Sequence, residues 1–278
     1  MAARRRLSAS GAGVKLEPVS GKRSLRLDDV DARVNLGMSE GELERETAKY
    51  SDRISDLQRV FYADARHALL IILQGRDASG KDGTIRKVFS AVNPQGCTVA
   101  SFKAPTEFEQ HHDFLWRVHQ QVPARGMIGI FNRSHYEDIL VPRVHGTVPK
   151  KVWSARYNQI NDFEAMLAAN NVVILKFLLH ISHDEQKRRL AERITNPKKN
   201  WKFRAGDLDD RALWEKFTKA YRGILSNTST KAAPWYIVPA DDKDVRNLLI
   251  ARTIADRLAT LRLRYPPGDP AILGVKIK

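Results

Sequence analysis

The apolar stretch Ala68–Gln74, ALLIILQ, runs straight into a glycine-rich turn, Gly75-Arg76-Asp77-Ala78-Ser79-Gly80-Lys81. After that turn Ile85, Val88, Phe89 and Val92 recur at i, i+3, i+4 and i+7, the spacing of one buried helical face over 84–92. Strand, glycine loop and amphipathic helix in this order open a parallel α/β sheet, and few other architectures accommodate them. The turn fits G-x-x-x-x-G-K in the context that the motif requires. Its glycines let the backbone curl so that N–H groups face phosphate oxygens. The following helix adds its positive end and Lys81 a full charge. Gly75, Ala78, Ser79, Gly80, Asp82, Gly83 and Thr84 are therefore candidate phosphate-binding positions.

The alternation continues. Helical periods are expected at 40–63, 107–121, 150–169, 184–194, 207–221 and 241–263, and short apolar strands at 97–102, 127–131, 172–179 and 235–238. Strands separated by helices predict a parallel sheet covered on both faces. The 278 residues exceed the roughly 100–200 of an average domain, but no internal linker interrupts 40–263. The expected organisation is a flexible basic leader at 1–39 and a single domain at 40–278, with a lid at about 183–222. No apolar run reaches the ~18–20 residues of a transmembrane helix. A lone Cys97 excludes an intrachain disulfide and a cysteine-based zinc site, and fits a reducing cytoplasm.

The chain carries 47 Lys and Arg against 32 Asp and Glu, a formal charge of +15. Two segments hold most of it: Met1–Leu27, with seven basic residues and one acid, and Lys187–Arg204, with eight and one. In the second, Arg189 and Arg193 stand at i, i+4 on one helical face, and Lys198, Lys199 and Lys202 follow after Asn196-Pro197. A charge run is ordinarily a solvated face. Beside a phosphate loop, few interleaved acids favour a lid whose arginines cover a moving phosphoryl group. The excess lysines suggest an anion longer than a nucleotide triphosphate.

Two departures concern metal binding. The Ser or Thr that usually follows the loop lysine is Asp82, while Asp77 places a second carboxylate among phosphates, which calls for a cation between them; Mg²⁺ with its oxygen ligands fits. The strand MIGIF then ends in NRSHYED, where Asn132 occupies a place commonly held by a second metal-binding acid. Glu137 or Asp138 can supply the missing charge, and Arg133 can hold a phosphate in its planar fork. His111, His112 and His119 lack a metal-ligand spacing and are expected to pack or hydrogen-bond.

Taken together, GRDASGKDGT, HDFLWRVHQQVPARGMIGIFNRSHYEDILVPRVH and RRLAERITNPKKNWKF resemble the polyphosphate kinase 2 family, in register and in order from about residue 57 to 238. The resemblance implies a thymidylate-kinase-like P-loop kinase fold, a parallel sheet flanked by helices with a helical lid. It also implies Mg²⁺-dependent transfer between inorganic polyphosphate and nucleotides, with Mn²⁺ as a substitute metal. Asp77 and Lys81 match the family's loop acid and lysine, Arg133 its arginine after the second strand, and Arg189 and Arg193 its lid arginines. The best-known branch has Asp where this chain has Asn132. NRSHYED looks more like the branch that phosphorylates both mono- and diphosphates.

The expected catalytic set is Asp77, Lys81, Arg133, Glu137, Asp138 and Arg189, with Asp77, Glu137 and Asp138 as metal candidates. Asn132, Arg193, Lys198 and Lys199 join the loop in binding substrate. The expected partners are polyphosphate and nucleotides, not nucleic acid or a membrane, in a homo-oligomer (dimer or tetramer) for which 150–169 and the leader offer surfaces. The rival readings are an ATP-dependent nucleoside monophosphate kinase and a polyanion-binding protein without catalysis. Only Trp201 and Phe203 interleave with the basic segments, too few for a base-stacking platform.

Overall fold

The computed structural model describes residues 7–10, 13–20, 27–272 and 274–275. A hairpin of β1 (Leu7–Ser10) and β2 (Gly13–Leu16) precedes α1 (Glu40–Asp64), which starts at a capping box: Ser39 N donates to Glu42 Oε2 at 2.8 Å and Glu42 N to Ser39 Oγ at 3.4 Å. Then come β3 (Ala68–Gln74), α2 (Lys81–Val88), β4 (Cys97–Ser101), α3 (Glu107–Gln110), α4 (Trp116–His119) and β5 (Ile128–Asn132). The chain continues through α5 (Glu137–His145), α6 (Lys150–Ala169), β6 (Val172–His180), α7 (His183–Thr195), α8 (Gly206–Ala212), α9 (Trp214–Thr228), β7 (Trp235–Pro239) and α10 (Lys243–Ala259).

Five strands form one sheet in the order β4-β5-β3-β6-β7, every pair parallel. Side chains alternate across it as a two-residue period requires. Ala68, Leu70 and Ile72 of β3 join the core layer that includes residues of α5, α6 and α9. Leu69, Ile71 and Leu73 join the layer built with α1, α2 and α10. With both faces covered, β3 is buried along its whole length. The expected α/β class is the one found.

Three differences from the sequence expectation bear on the fold. The helix expected over 107–121 is two short turns, α3 and α4, because Asp113 Oδ1 accepts from Leu115 N at 2.9 Å and takes the backbone out of the helix. The one expected over 207–221 is split at Leu213, whose backbone (φ −90°, ψ 22°) leaves the helical region. The third lies in the first 39 residues, where composition suggests a flexible leader. Val19 N donates to Trp235 O at 2.7 Å, Ser229 Oγ donates to Val19 O at 2.6 Å, and Val19 and Leu27 are buried. Such anchors are too sparse to create a sequence period. Arg4, Arg5, Arg6, Lys22, Arg23 and Arg26 lie outside the described residues.

The order reverses around β3, since the chain passes from it to β4 on one side and later to β6 on the other. In open α/β sheets this places the ligand crevice at the carboxyl ends of the strands concerned. The loop after β3 and the turn after β5 meet there. No described helix is long and apolar enough to cross a membrane.

Candidate active site

The loop 75–81 owes its path to two glycines. A Cβ on Gly75 would lie 2.6 Å from Ser79 Oγ and 2.8 Å from Leu179 O. Gly80 holds φ at +99°, and a Cβ there would overlap Arg246 Nη1. Helix α2 begins at Lys81, three residues before the expected start, so its free N–H groups and positive end lie at the loop itself. Lys81 is buried, with Nζ 2.7 Å from Gly75 O and 3.3 Å from Arg76 O. Burial pushes its ammonium below the ordinary lysine range and Arg133 adds to this, while Asp77 and Glu137 oppose it.

The turn after β5 brings the second half of the site. Arg133 is held in the left-handed region (φ +62°) with its N–H bonded to Leu73 O at 3.0 Å, a conformation uncommon for a residue with a side chain. Its guanidinium reaches Asp77 Oδ1 at 2.7 Å and approaches Glu137 Oε2 at 3.8 Å. Burial acts to lower the Arg133 pKa, but Glu137 and Asp77 prevail and hold it above the ordinary value. Glu137 shows the reverse: burial lifts its carboxyl above the usual carboxylate range in spite of Arg133 and Lys81. The Gln74 amide, oriented so that both its atoms are satisfied, donates to Glu137 Oε1 at 3.0 Å and accepts from Ser134 N at 3.0 Å.

Asp77, Arg133 and Glu137 line one cleft with Gly75, Arg76 and Asp210. Asp138, the alternative acid, is not among the lining residues. It turns to Arg117 Nη2 at 3.4 Å, and burial raises its carboxyl against Arg117 and Arg156. Adjacent positions at a helix start point about 100° apart, and the tertiary partner decides which one faces the cleft. The structure thus sets Glu137, and not Asp138, beside Asp77.

The lid residues divide similarly. Arg189, expected over the moving phosphoryl group, is 6% exposed and fully engaged elsewhere. Its Nε donates to Glu185 Oε1 at 2.7 Å, Nη1 to Ala78 O and Ser79 O at 3.0 and 3.2 Å, and Nη2 to Ala240 O and Asp241 O at 2.7 and 2.8 Å. Five N–H groups meet five acceptors, so this side chain supports the loop backbone instead of reaching the cleft. Arg193 pairs with Asp207 Oδ2 at 3.0 Å and Lys199 with Glu192, while Lys198 is exposed; none of the three lines the cleft. Lys202 Nζ stands 3.7 Å from Asp82 Oδ2, and Asn132 Nδ2 donates to Asp82 Oδ1 at 2.7 Å. The two departures noted in the sequence are thus one hydrogen-bonded pair.

Several lining residues escape sequence reasoning. Arg76 lies with its guanidinium 3.6 Å over the Trp214 ring and donates to Trp214 O at 3.0 Å and Thr218 Oγ1 at 2.6 Å; burial lowers its pKa to about 10, still charged at neutral pH. Gln186 Nε2 donates to Asp77 O at 3.1 Å. Asp210 meets His145 Nε2 at 3.1 Å. Arg246, buried and donating to Ser79 O at 3.2 Å, supports the loop beside Arg189. A charged residue inside the apolar period of α10 is the one signal that could have flagged it.

The donor set suits a hard divalent cation. Asp77 and Glu137 flank a positive group already, so both carboxylates are placed to share a cation, and Ser79 Oγ and Thr84 Oγ1 are buried in the loop and α2 without a partner. Among the described residues no three His, Cys, Asp or Glu side chains form a metal cage. Mg²⁺ does not demand one, since it commonly takes one or two carboxylates and completes its shell with phosphates and water. His112 stacks on Trp116 with ring centroids 4.1 Å apart, the packing role expected of it.

Known proteins resemble this chain over most of its length. The family model Polyphosphate kinase 2 (PPK2) matches residues 37–265. The AMP/ADP-polyphosphate phosphotransferase of Meiothermus ruber is 50% identical over 246 residues, 88% of this chain and 92% of that protein. The ADP-polyphosphate phosphotransferase of Rhodopseudomonas palustris is 48% identical over 232 residues, 79% of this chain and 80% of that one. Among solved structures, polyphosphate kinase 2 from Arthrobacter aurescens TC1 superimposes with a TM-score of 0.84 at 39% identity, covering 92% of this chain and 95% of that chain.

Proposed function

The chain belongs to the polyphosphate kinase 2 family, a family of polyphosphate-dependent nucleotide kinases, and from that premise we propose that its cleft moves phosphoryl groups between inorganic polyphosphate and both nucleoside mono- and diphosphates, AMP and ADP first. The observation that carries this reading is the convergence of Asp77, Arg133 and Glu137 at one cleft beside a phosphate loop whose buried Lys81 donates to Gly75 O.

In this reading the backbone N–H groups of the loop and the start of α2 bind the terminal phosphates of the donor chain. Lys81 exchanges the carbonyls of Gly75 and Arg76 for phosphoryl oxygens. Arg133 moves from its two acids to the transferred group, where its planar fork matches two oxygens. Asp77 and Glu137, released from Arg133, are the residues that would hold Mg²⁺, or Mn²⁺ in its place. The metal supplies charge neutralisation on the phosphoryl oxygens. The acceptor's terminal phosphate oxygen is already ionised near neutral pH, so no side chain has to remove a proton. Rate then comes from alignment and electrostatics. A donor chain longer than the cleft would meet Lys202 first, whose Nζ stands 3.7 Å from Asp82 Oδ2 at the start of α2, and then the lid lysines Lys198 and Lys199. We take the chain as a cytoplasmic homo-oligomer, with α6 as an interface surface.

Incubation with AMP or ADP, Mg²⁺ and polyphosphate, without ATP, tests the reading by ³¹P NMR. New ADP from AMP and new ATP from ADP are expected. Turnover only when ATP is the donor identifies an ATP-dependent monophosphate kinase instead, and polyphosphate binding without new nucleotide identifies a polyanion-binding protein.

A further inference from the structure

Strand β6 is apolar up to its terminal His180 except at Lys176, which is completely buried in the layer that α6 and α9 cover. Its ammonium has three donors and three acceptors: Tyr136 Oη at 2.7 Å, Glu164 Oε2 at 2.5 Å and Thr228 O at 2.7 Å. Glu164, on α6 and 1% exposed, accepts at its other oxygen from Tyr136 Oη at 2.8 Å and lies 3.2 Å from His135 Nε2. Burial alone would raise the Glu164 carboxyl, but Lys176 and then His135 hold it below the ordinary range.

A buried ion pair is a weak source of stability, because removing both charges from water costs as much as their attraction returns, and well-packed apolar residues of similar volume often do as well or better. Its position is more telling. His135 and Tyr136 are two of the three residues between Arg133 and Glu137. Both are completely buried, and both side chains end on the Glu164 carboxylate, 28 and 29 residues further along the chain. Tyr136 also packs edge-on against Trp235 with centroids 4.8 Å apart. The third intervening residue, Ser134, accepts from Tyr136 N at 3.2 Å. The turn that carries a left-handed Arg133 is therefore fixed at each intervening residue, which is how an unfavourable backbone conformation is maintained.

We propose that the Lys176–Glu164 ion pair, acting through His135 and Tyr136, sets the reach of Arg133 and Glu137 into the cleft, so that Lys176 and Glu164 are positioning residues for phosphoryl transfer. The proposal rests on the roles given above to Arg133 and Glu137. Neither member of the pair touches substrate. A displacement of the turn by about 1 Å lowers transfer without weakening the fold.

The test uses the full chain and measures melting temperature, kcat and KM for polyphosphate-dependent phosphorylation of AMP. Tyr136→Phe removes a single hydroxyl and is expected to lower kcat on the order of ten-fold, with KM for AMP within about two-fold of wild type. The double substitution Lys176→Met with Glu164→Gln is expected to lower kcat on the order of 100-fold while the melting temperature holds or rises. In an Arg133→Lys background, Tyr136→Phe should add less than about a two-fold further loss, since it acts through the residue already altered. A kcat within about two-fold of wild type for Tyr136→Phe overturns the proposal, as does an equal loss in both backgrounds. If the double variant does not fold, the Tyr136→Phe cycle decides alone. Failure of the functional reading is distinguishable: the unsubstituted chain then shows no polyphosphate-dependent turnover, and the proposal falls with it.

Discussion

Arg189 and Arg133 both reach the loop 75–81, one from α7 and the other from the turn after β5, and their guanidinium groups serve different ends. Arg189 is buried and ends on four backbone carbonyls and one carboxylate. Arg133 keeps 39% of its side chain exposed and ends on two carboxylates at the cleft. The first arrangement leaves no donor for a ligand, and opening it would strand buried carbonyls. The second can be exchanged: phosphate oxygens can replace the acids at Arg133, and a cation can replace Arg133 between the acids. Charge alone does not mark a substrate-binding arginine. The nature of its acceptors and its access to solvent do.

The contrast is broken most severely on the cleft side. Lys81→Ala and Asp77→Ala are each expected to lower polyphosphate-dependent kcat by about 10³-fold or more, with an unchanged circular dichroism spectrum. Substantial residual turnover would remove both residues from the transfer step.

A smaller effect sharpens the same side. The Glu137 carboxyl is raised by burial, so the folded state binds its proton more tightly than the unfolded chain does. Wild-type stability from this group is therefore greatest below the ordinary carboxylate range and falls as pH rises through the folded pKa. Glu137→Gln, which imitates the protonated form, should melt at or above the wild-type temperature at pH 7, with the difference vanishing below about pH 4. Thermal melts across pH check this. A variant that is less stable at pH 7 than at pH 4, relative to wild type, contradicts it.

The sequence made some of this legible and concealed the rest for identifiable reasons. β3, the loop and α2 are local features whose chemistry lies in contiguous residues, and they were read within a few positions. The long helix 150–169 was read at its observed bounds because its period persists over twenty residues. Competing local hydrogen bonds leave no mark on hydrophobic spacing, and so the break at Asp113 was missed. Asp82 and Asn132 stood out separately, but their 2.7 Å contact joins residues 50 positions apart. For Arg189 the i, i+4 spacing with Arg193 was real, yet its acceptors at Ala78 and Ala240 lie 111 and 51 residues away. Only a tertiary contact, Arg117 Nη2 at 3.4 Å from Asp138 Oδ2, separates the adjacent acids at 137 and 138.

The most direct measurement sets Arg133→Ala against Arg189→Ala, recording polyphosphate-dependent kcat and melting temperature for both. Arg133→Ala is expected to lower kcat by about 10²–10³-fold and to move the melting temperature by no more than a few degrees. Arg189→Ala strands buried carbonyls at a cost of about 3 kcal/mol or more. That corresponds to a loss of roughly 6–12 °C in melting temperature, and kcat of the fraction that remains folded should exceed that of Arg133→Ala by at least about ten-fold. The reverse pattern, a thermally unaltered but inactive Arg189→Ala beside an active Arg133→Ala, would contradict the account.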